Sequence, residues 1–215
     1  MLRSAIYIDD EWVANLWVKK ALDLYYRSRG PAVESRVGTM TFRDRFPLKS
    51  DLEEYDVRFA PPGTARYGAS FGAESVLAGG YAHLGVWVGT GTLIDTWVTL
   101  GTCAQIGNGV KILPNSSIVG SLYPLEAAPT VIEDDCYVGS GCIIASGVRV
   151  SRGAILAPGV VISEVSPVID AVSGARLGSV PPLAVVVPGM IASPRLGAGV
   201  LGVAAAWWSG TAMNA

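Results

Sequence analysis

The stretch VLAGGYAHLGVWVGTGTLIDTWVTLGTCAQIGNGVKILPNSSI, residues 76–118, decides the fold. Stepping by six from Val76 meets Ala82, Val88, Ile94, Leu100, Ile106, Ile112 and Ile118, an aliphatic side chain at every step. After a break the phase resumes at Ile132, Val138, Ile144, Val150, Leu156 and Ile162, and a glycine follows the aliphatic at Gly89, Gly101, Gly107 and Gly139. A helix repeats about every 3.6 residues and a strand about every 2, so a sustained step of six fits neither. It is the period of a hexapeptide β-solenoid, in which three short strands and three tight corners make a coil of about 18 residues. One aliphatic per face points inward, and corners take small residues and positive φ, where Gly, Asn, Ser and Thr are tolerated. The predicted fold is therefore mainly β, with somewhat under about five coils from the fourteen hexapeptides.

Outward from this repeat the composition changes. Of 34 charged residues, 21 lie in the first 66 positions, whereas residues 77–110 contain Asp95 alone. The contrast predicts a small α+β domain over 1–65, a solenoid over 66–190 and a tail over 191–215. In the lead-in, Asp9-Asp10-Glu11 precede Trp12, Val13, Leu16, Trp17, Ala21 and Leu24, which reads as an amphipathic helix ended by Gly30-Pro31. The phase break at 119–131 carries Pro124 and Pro129 and reads as a loop protruding from a corner. Residues 169–177 read as a hairpin turning at Ser173-Gly174, and 183–187 as a last buried strand.

Composition excludes several classes. Sixteen Lys+Arg against 18 Asp+Glu leave a net charge of −2, against a phosphate-neutralising nucleic-acid binder. The N-terminus meets acids within ten residues instead of an apolar signal region, and the longest apolar run, 196–208, is 13 residues, too short to span a bilayer. Cys103, Cys136 and Cys142 give neither an even set nor a C-x-x-C pair, which predicts no disulfide framework and no metal site. A cytoplasmic protein without membrane or nucleic-acid partners is the expectation.

The order of IDDEWVANLWVKKA (8–21), VRFAPPGTARYG (57–68), GTLIDTWVTLGTCAQIGNGVKI (91–112), PTVIEDDCYVGSG (129–141) and SVPPLAVVV (179–187) resembles the tetrahydrodipicolinate N-succinyltransferase family. The resemblance implies a left-handed parallel β-helix, a homotrimer with sites between neighbouring subunits, and transfer of an acyl group from a coenzyme A thioester to an amino group, as in lysine biosynthesis. It also implies that Asp95 and Arg58 contact the acceptor. Independently of family, a carboxylate beside an acceptor amine can hold the ammonium and then take its proton, and a guanidinium suits a carboxylate-bearing acceptor. The alternatives are an Asx turn for Asp95 and a surface ion pair for Arg58.

By position, Gly120 and Gly139 are candidate backbone donors to the thioester oxygen, and Ala157, Gly159 and Ser163 lie on the edge along which coenzyme A runs in this fold. The departures bear on the acceptor. After Gly139 the family has Ala-Arg-Ser-Glu where this chain has Ser140-Gly141-Cys142-Ile143; Lys111 replaces a histidine and Tyr123 a glutamate. Cys142 and Ile143 then fall where the acceptor pocket would be, and lost charges predict a changed acceptor. Three readings compete: the family's own succinyl transfer, a diverged relative acetylating lysine or a lysine-like precursor, and a non-catalytic trimer. His83, the single histidine, is read as structural rather than catalytic, the cysteines as packing residues, and Tyr81, Trp87 and Trp97 as candidates for a subunit seam.

Overall fold

A computed structural model describes residues 3–37, 39–50, 52–192 and 201–208. Its centre is a three-faced parallel β-solenoid. The first face stacks Arg58–Ala60, Val76–Ala78, Leu93–Ile94, Lys111–Ile112, Tyr137–Val138 and Ile155–Leu156, capped by Val185–Ala192. The second stacks Thr64–Ala65, Tyr81–Ala82, Thr99–Leu100, Ser117–Ile118, Ile143–Ile144 and Val161–Ile162; the third stacks Ser70–Phe71, Trp87–Val88, Gln105–Ile106, Val131–Ile132 and Arg149–Val150. Where the repeat is uninterrupted, parallel partners stand 18 residues apart, as in Leu93↔Lys111 and Thr99↔Ser117, so each coil satisfies the backbone of the one beneath it.

The hexad aliphatics from Ala82 to Ile118 and from Ile132 to Ile162 all point into the prism and are buried, each fully buried Ile or Leu contributing about 1.5–3 kcal/mol. Val76 does not. Leu77 takes the inward place, and the step to Ala82 is five residues. Below that slip the period of six continues in a shifted phase through Phe71, Ala65 and Phe59, with the Phe59 and Phe71 rings 4.9 Å apart. The ladder therefore starts at Arg58 and has about six coils rather than just under five. A second inward position precedes each aliphatic by two residues: Val86, Val98, Ala104, Val110, Ser116, Cys136, Cys142, Ala154 and Val160 are all buried there. Two of the three cysteines fill this position, where only a small side chain fits inside the corner.

The corner glycines divide into two kinds. The residue three before an inward aliphatic is in the left-handed region at most corners, at Gly79, Gly91, Gly141 and Gly159 but also at Trp97, Cys103 and Asn115. The glycine one after the aliphatic is there for space instead: a Cβ on Gly139 would stand 2.5 Å from the Pro158 nitrogen, and one on Gly89 2.5 Å from the Gly107 carbonyl. Close approach of successive coils, not positive φ, fixes the glycines that mark the repeat in the sequence.

The lead-in differs from its expectation at the start. Ala5–Ile8 and Glu11–Ala14 pair as an antiparallel hairpin, with Asp9 and Asp10 at φ 48° and 63° as its two-residue turn. The helix runs from Leu16 to Ser28, with Asn15 preceding it, and it buries Val18 and Lys19 while Trp17 and Leu24 stay exposed. The acidic run belongs to the turn because Asp tolerates the left-handed region. The segment after Val119 adds eight residues to a coil, since Gln105↔Val131 spans 26 instead of 18. It folds back on the helix: the Lys19 ammonium donates to the carbonyls of Pro124 and Ala127, both at 3.2 Å, and the Tyr123 hydroxyl donates to the Asp23 carboxylate.

At the far end Val168–Asp170 and Arg176–Leu177 form the expected hairpin, with Asp170 bonded to Ser173 inside the turn. Val186 is buried in the last strand, whereas Leu183 and Val187 are exposed. Leu201–Trp208, for which the sequence suggested no partner, pairs antiparallel with Val185–Ala192 and parallel with Val168–Asp170. Among the described residues no helix is long and apolar enough to cross a membrane.

Candidate active site

Successive coils stack equivalent residues into columns at the prism's edges. At the edge between the first and second faces the backbone bonds run Asp95 N to Ile112 O, Leu113 N to Val138 O, Gly139 N to Leu156 O and Ala157 N to Val186 O. Asp95, Leu113, Gly139 and Ala157 are thus one column. Two residues on, Trp97, Asn115, Gly141 and Gly159 form a second, all of them exposed. The sequence-derived candidates Asp95, Gly139, Ala157 and Gly159, scattered over 65 residues of chain, fall on this single edge.

Gly120 and Ser163 lie elsewhere. His83 N bonds Leu100 O, Gly101 N bonds Ile118 O, Val119 N bonds Ile144 O and Ala145 N bonds Ile162 O, which puts Gly120 beside the edge between the second and third faces and Ser163 at its upper end. This edge is roofed. Leu22 and Tyr26 of the helix and Gly120 to Tyr123 of the loop enclose, with His83, Leu84 and Thr102, a cavity of about 270 Å³.

Asp95 sits at its corner with one carboxylate oxygen, Oδ1, accepting from the Thr96 N–H at 2.6 Å and the Thr96 hydroxyl at 3.0 Å. The backbone bond is a local one, as the turn alternative anticipates, but Oδ2 has no partner and the carboxylate no counter-ion among the described residues. Arg58 opens the lowest strand of the first face; it is opposite Val76, which is opposite Leu93, two residues before Asp95. Two strand spacings of about 4.8 Å therefore separate its level from that of Asp95. Its side chain is exposed over a groove shared with Glu53, Glu54 and Phe59, and it has no ion pair among the described residues, whereas Arg66, Arg149 and Arg152 pair with Asp44, Glu133 and Asp134.

Cys142 and Ile143 are consecutive and point to opposite sides. Cys142 is wholly buried, its thiol on the Ala157 carbonyl at 3.3 Å, so it has no surface with which to touch a substrate. Burial pushes its thiol up, as it does for Cys103, and drives Cys136 to about 12, leaving all three protonated at neutral pH and poor nucleophiles. Ile143 is 45% exposed on the second face, beside the edge that carries Gly141. The N–H of Gly139 is spent on Leu156 O at 2.8 Å, while that of Gly120 has no partner among the described residues. Of the two candidate oxyanion donors, the structure leaves Gly120 available. A Cβ added at Gly141 or Gly159 would meet open space, so the open edge has room for an extended chain laid along it.

His83 is held in one tautomer: Nδ1 accepts from the Leu84 N–H at 3.0 Å and contacts the Thr102 hydroxyl at 2.9 Å, which puts the ring proton on Nε2. Burial, reinforced by the Arg66 guanidinium, holds its pKa below the ordinary histidine value. Of the three aromatic seam candidates, Trp87 takes the Arg3 guanidinium on its face at 4.9 Å, as Trp12 does at 5.0 Å, and Tyr81 packs against His83. Trp97 is 65% exposed in a left-handed conformation that costs a side-chain residue about 1–2 kcal/mol. The strain at Trp97 has no sequence signal, because the equivalent corner residue in the other coils of this edge is Gly or Asn. Among the described residues no three His, Cys, Asp or Glu side chains gather as metal ligands would.

Residues 129–164 match the bacterial transferase hexapeptide (six repeats) family. The chain is 38% identical over 211 residues to a 2,3,4,5-tetrahydropyridine-2,6-dicarboxylate N-succinyltransferase of Caulobacter vibrioides, covering 92% of this chain and 76% of that one. Proteins of the same name from Idiomarina loihiensis and Acinetobacter baylyi are 39% and 38% identical, each over 89% of this chain and 72% of theirs.

Proposed function

The chain belongs to the 2,3,4,5-tetrahydropyridine-2,6-dicarboxylate N-succinyltransferase family and is an acyltransferase, and on that premise we propose that its open edge transfers a succinyl group from succinyl-coenzyme A to the amino group of an amino-diacid. The observation that carries this reading is a carboxylate, Asp95, without a counter-ion among the described residues, on an edge whose Gly141 and Gly159 face open space. Asp95 Oδ1 is tied to Thr96, so Oδ2 receives the acceptor's ammonium and then its proton, leaving a neutral amine to attack the thioester carbonyl. The N–C bond forms, the C–S bond breaks and the thiol leaves. Arg58 holds an acceptor carboxylate, and the coenzyme's extended arm lies along Gly139, Ala157 and Gly159.

Gly120 and Ser163 reach the same site from a neighbouring copy in a homotrimer, whose roofed edge faces the open edge of the first subunit, and the Gly120 N–H then donates to the carbonyl oxygen as it becomes negative. The reading places the chain in lysine biosynthesis and in the cytoplasm.

Ile143 favours a second reading of the acceptor. An exposed apolar side chain, with Tyr137 and Ile155 exposed on the adjoining face, stands where the resemblance implies a glutamate. Such a wall suits an acceptor with one carboxylate fewer and an aliphatic segment in its place, lysine or a lysine-like precursor, with acetyl-coenzyme A as donor. Thiol release separates the two. Purified protein is offered succinyl- or acetyl-coenzyme A with tetrahydrodipicolinate or lysine: release with succinyl-coenzyme A and the diacid supports the first reading, release confined to lysine or acetyl-coenzyme A the second. Silence in every combination from a folded trimer overturns both.

A further inference from the structure

Among the described residues, three without a charged or amide side chain occupy left-handed corner positions that glycine would fill without strain: Trp97, Cys103 and Leu183. Two of them have a packing reason within the chain. Cys103 is buried beneath the N-terminal segment, its carbonyl accepting from Ser4 and Gln105, and Leu183 lies over Gly153, where a Cβ would stand 2.6 Å from its Cδ2. Trp97 has none. It is 65% exposed, and among the described residues its indole makes no hydrogen bond, ring contact or cation contact. Its corner neighbours in the coils below and above are Gly79 and Asn115, at φ 85° and 62°, so this backbone is easily made without an aromatic residue. The fold thus carries a strained, solvated indole two residues from the Asp95 carboxylate, whose Oδ2 is open.

We propose that Trp97 is a specificity-determining residue of the acceptor site, its indole packing against the alkylammonium segment of the acceptor while Asp95 binds the ammonium itself. The inference rests on the Asp95 reading above. The chemistry is that of an aromatic face beside a carboxylate: the ring shields the methylene next to nitrogen from water and attracts the cation, while the carboxylate supplies the directional bond. It selects acceptors whose amine sits on a flexible aliphatic chain. Backbone strain held at a position the fold does not require is a mark of function rather than packing.

The test measures steady-state kinetics, melting temperature and oligomeric state of the full chain for Trp97→Gly, Trp97→Phe and Asp95→Asn, with the acceptor and donor that give thiol release. Trp97→Gly is expected to melt no lower than the parent and to keep its oligomeric state, while kcat/KM for the acceptor falls about tenfold or more and KM for the thioester holds within about twofold. Trp97→Phe keeps a ring and recovers kcat/KM to within about threefold of the parent. Trp97→Gly that melts well below the parent, dissociates, or retains acceptor kcat/KM overturns the proposal, the first two by making the indole structural and the third by making it idle. Asp95→Asn distinguishes this from failure of the underlying site: if it remains fully active, the open edge is not the active site.

Discussion

The roofed and open edges of the prism share one backbone design and differ in what lies over them. Both are columns of corners whose N–H groups bond carbonyls of the next coil. At the roofed edge the additional eight residues of the 119–131 loop and the N-terminal helix close over His83 and Thr102, and Lys19, 1% exposed, ties loop to helix by two carbonyl bonds. At the open edge Asp95 keeps an unpaired oxygen, Trp97 is exposed, and Gly141 and Gly159 face empty space. Since the solenoid leaves few backbone groups for chemistry, function depends on what decorates each edge.

The comparison breaks first if the two kinds of glycine are interchangeable. Gly139→Ala puts a methyl 2.5 Å from the Pro158 nitrogen and 2.8 Å from the Leu156 oxygen, backbone atoms that cannot move without shifting a coil. It is expected to cost about 3 kcal/mol or more, a fall of about 6–12 °C in Tm at this size. Gly159→Ala, with open space at its Cβ, bears only the φ penalty of about 1–2 kcal/mol. Differential scanning calorimetry of the pair measures the difference, and equal losses contradict the assignment of close approach to one class and positive φ to the other.

The roof is sharpened by Lys19→Ala. Removing the ammonium leaves the Ala127 carbonyl without its donor and the Pro124 carbonyl with the Ala127 N–H alone, and is expected to cost about 1–3 kcal/mol. Limited proteolysis should then cut within residues 120–128 before the solenoid unfolds; unchanged resistance would show that the loop holds its place without the lysine.

The smallest effect is a pH dependence. His83 has its pKa depressed in the fold, chiefly by burial and then by Arg66, with Asp44 opposing. The unfolded chain therefore binds the proton more readily, and stability is lost as pH falls below the ordinary histidine value of about 6.5 toward the lowered native one. His83→Asn should flatten the slope of Tm between about pH 7 and 5.5; an unaltered slope assigns that loss to carboxylates.

How much of this could be read from the sequence follows from where the period survives. Aliphatics at 82–118 and 132–162 gave the faces directly, because each must fill the same inward place. The five-residue step between Leu77 and Ala82 hid the lower coils, although Phe59, Ala65, Phe71 and Leu77 keep the same period in another phase. The N-terminal hairpin was hidden by a helix-like acidic run whose residues serve a left-handed turn instead. For the site, Asp95 and Arg58 came from motif resemblance and the isolation of one charge. The gathering of Asp95, Gly139, Ala157 and Gly159 on one edge, the burial of Cys142 and the separation of Gly120 depend on which way each corner turns, and the exposure of Trp97 on what covers it. The order of residue types alone contains neither.

The most direct test of the open edge as the place of chemistry is the rate of coenzyme A thiol release by Asp95→Asn compared with the parent at saturating substrates. The account predicts a fall of about a hundredfold or more, the range for loss of a general base, with Tm and oligomeric state unchanged because Asp95 has no ion pair to lose among the described residues. A variant as fast as the parent would contradict it and move the reaction away from that edge.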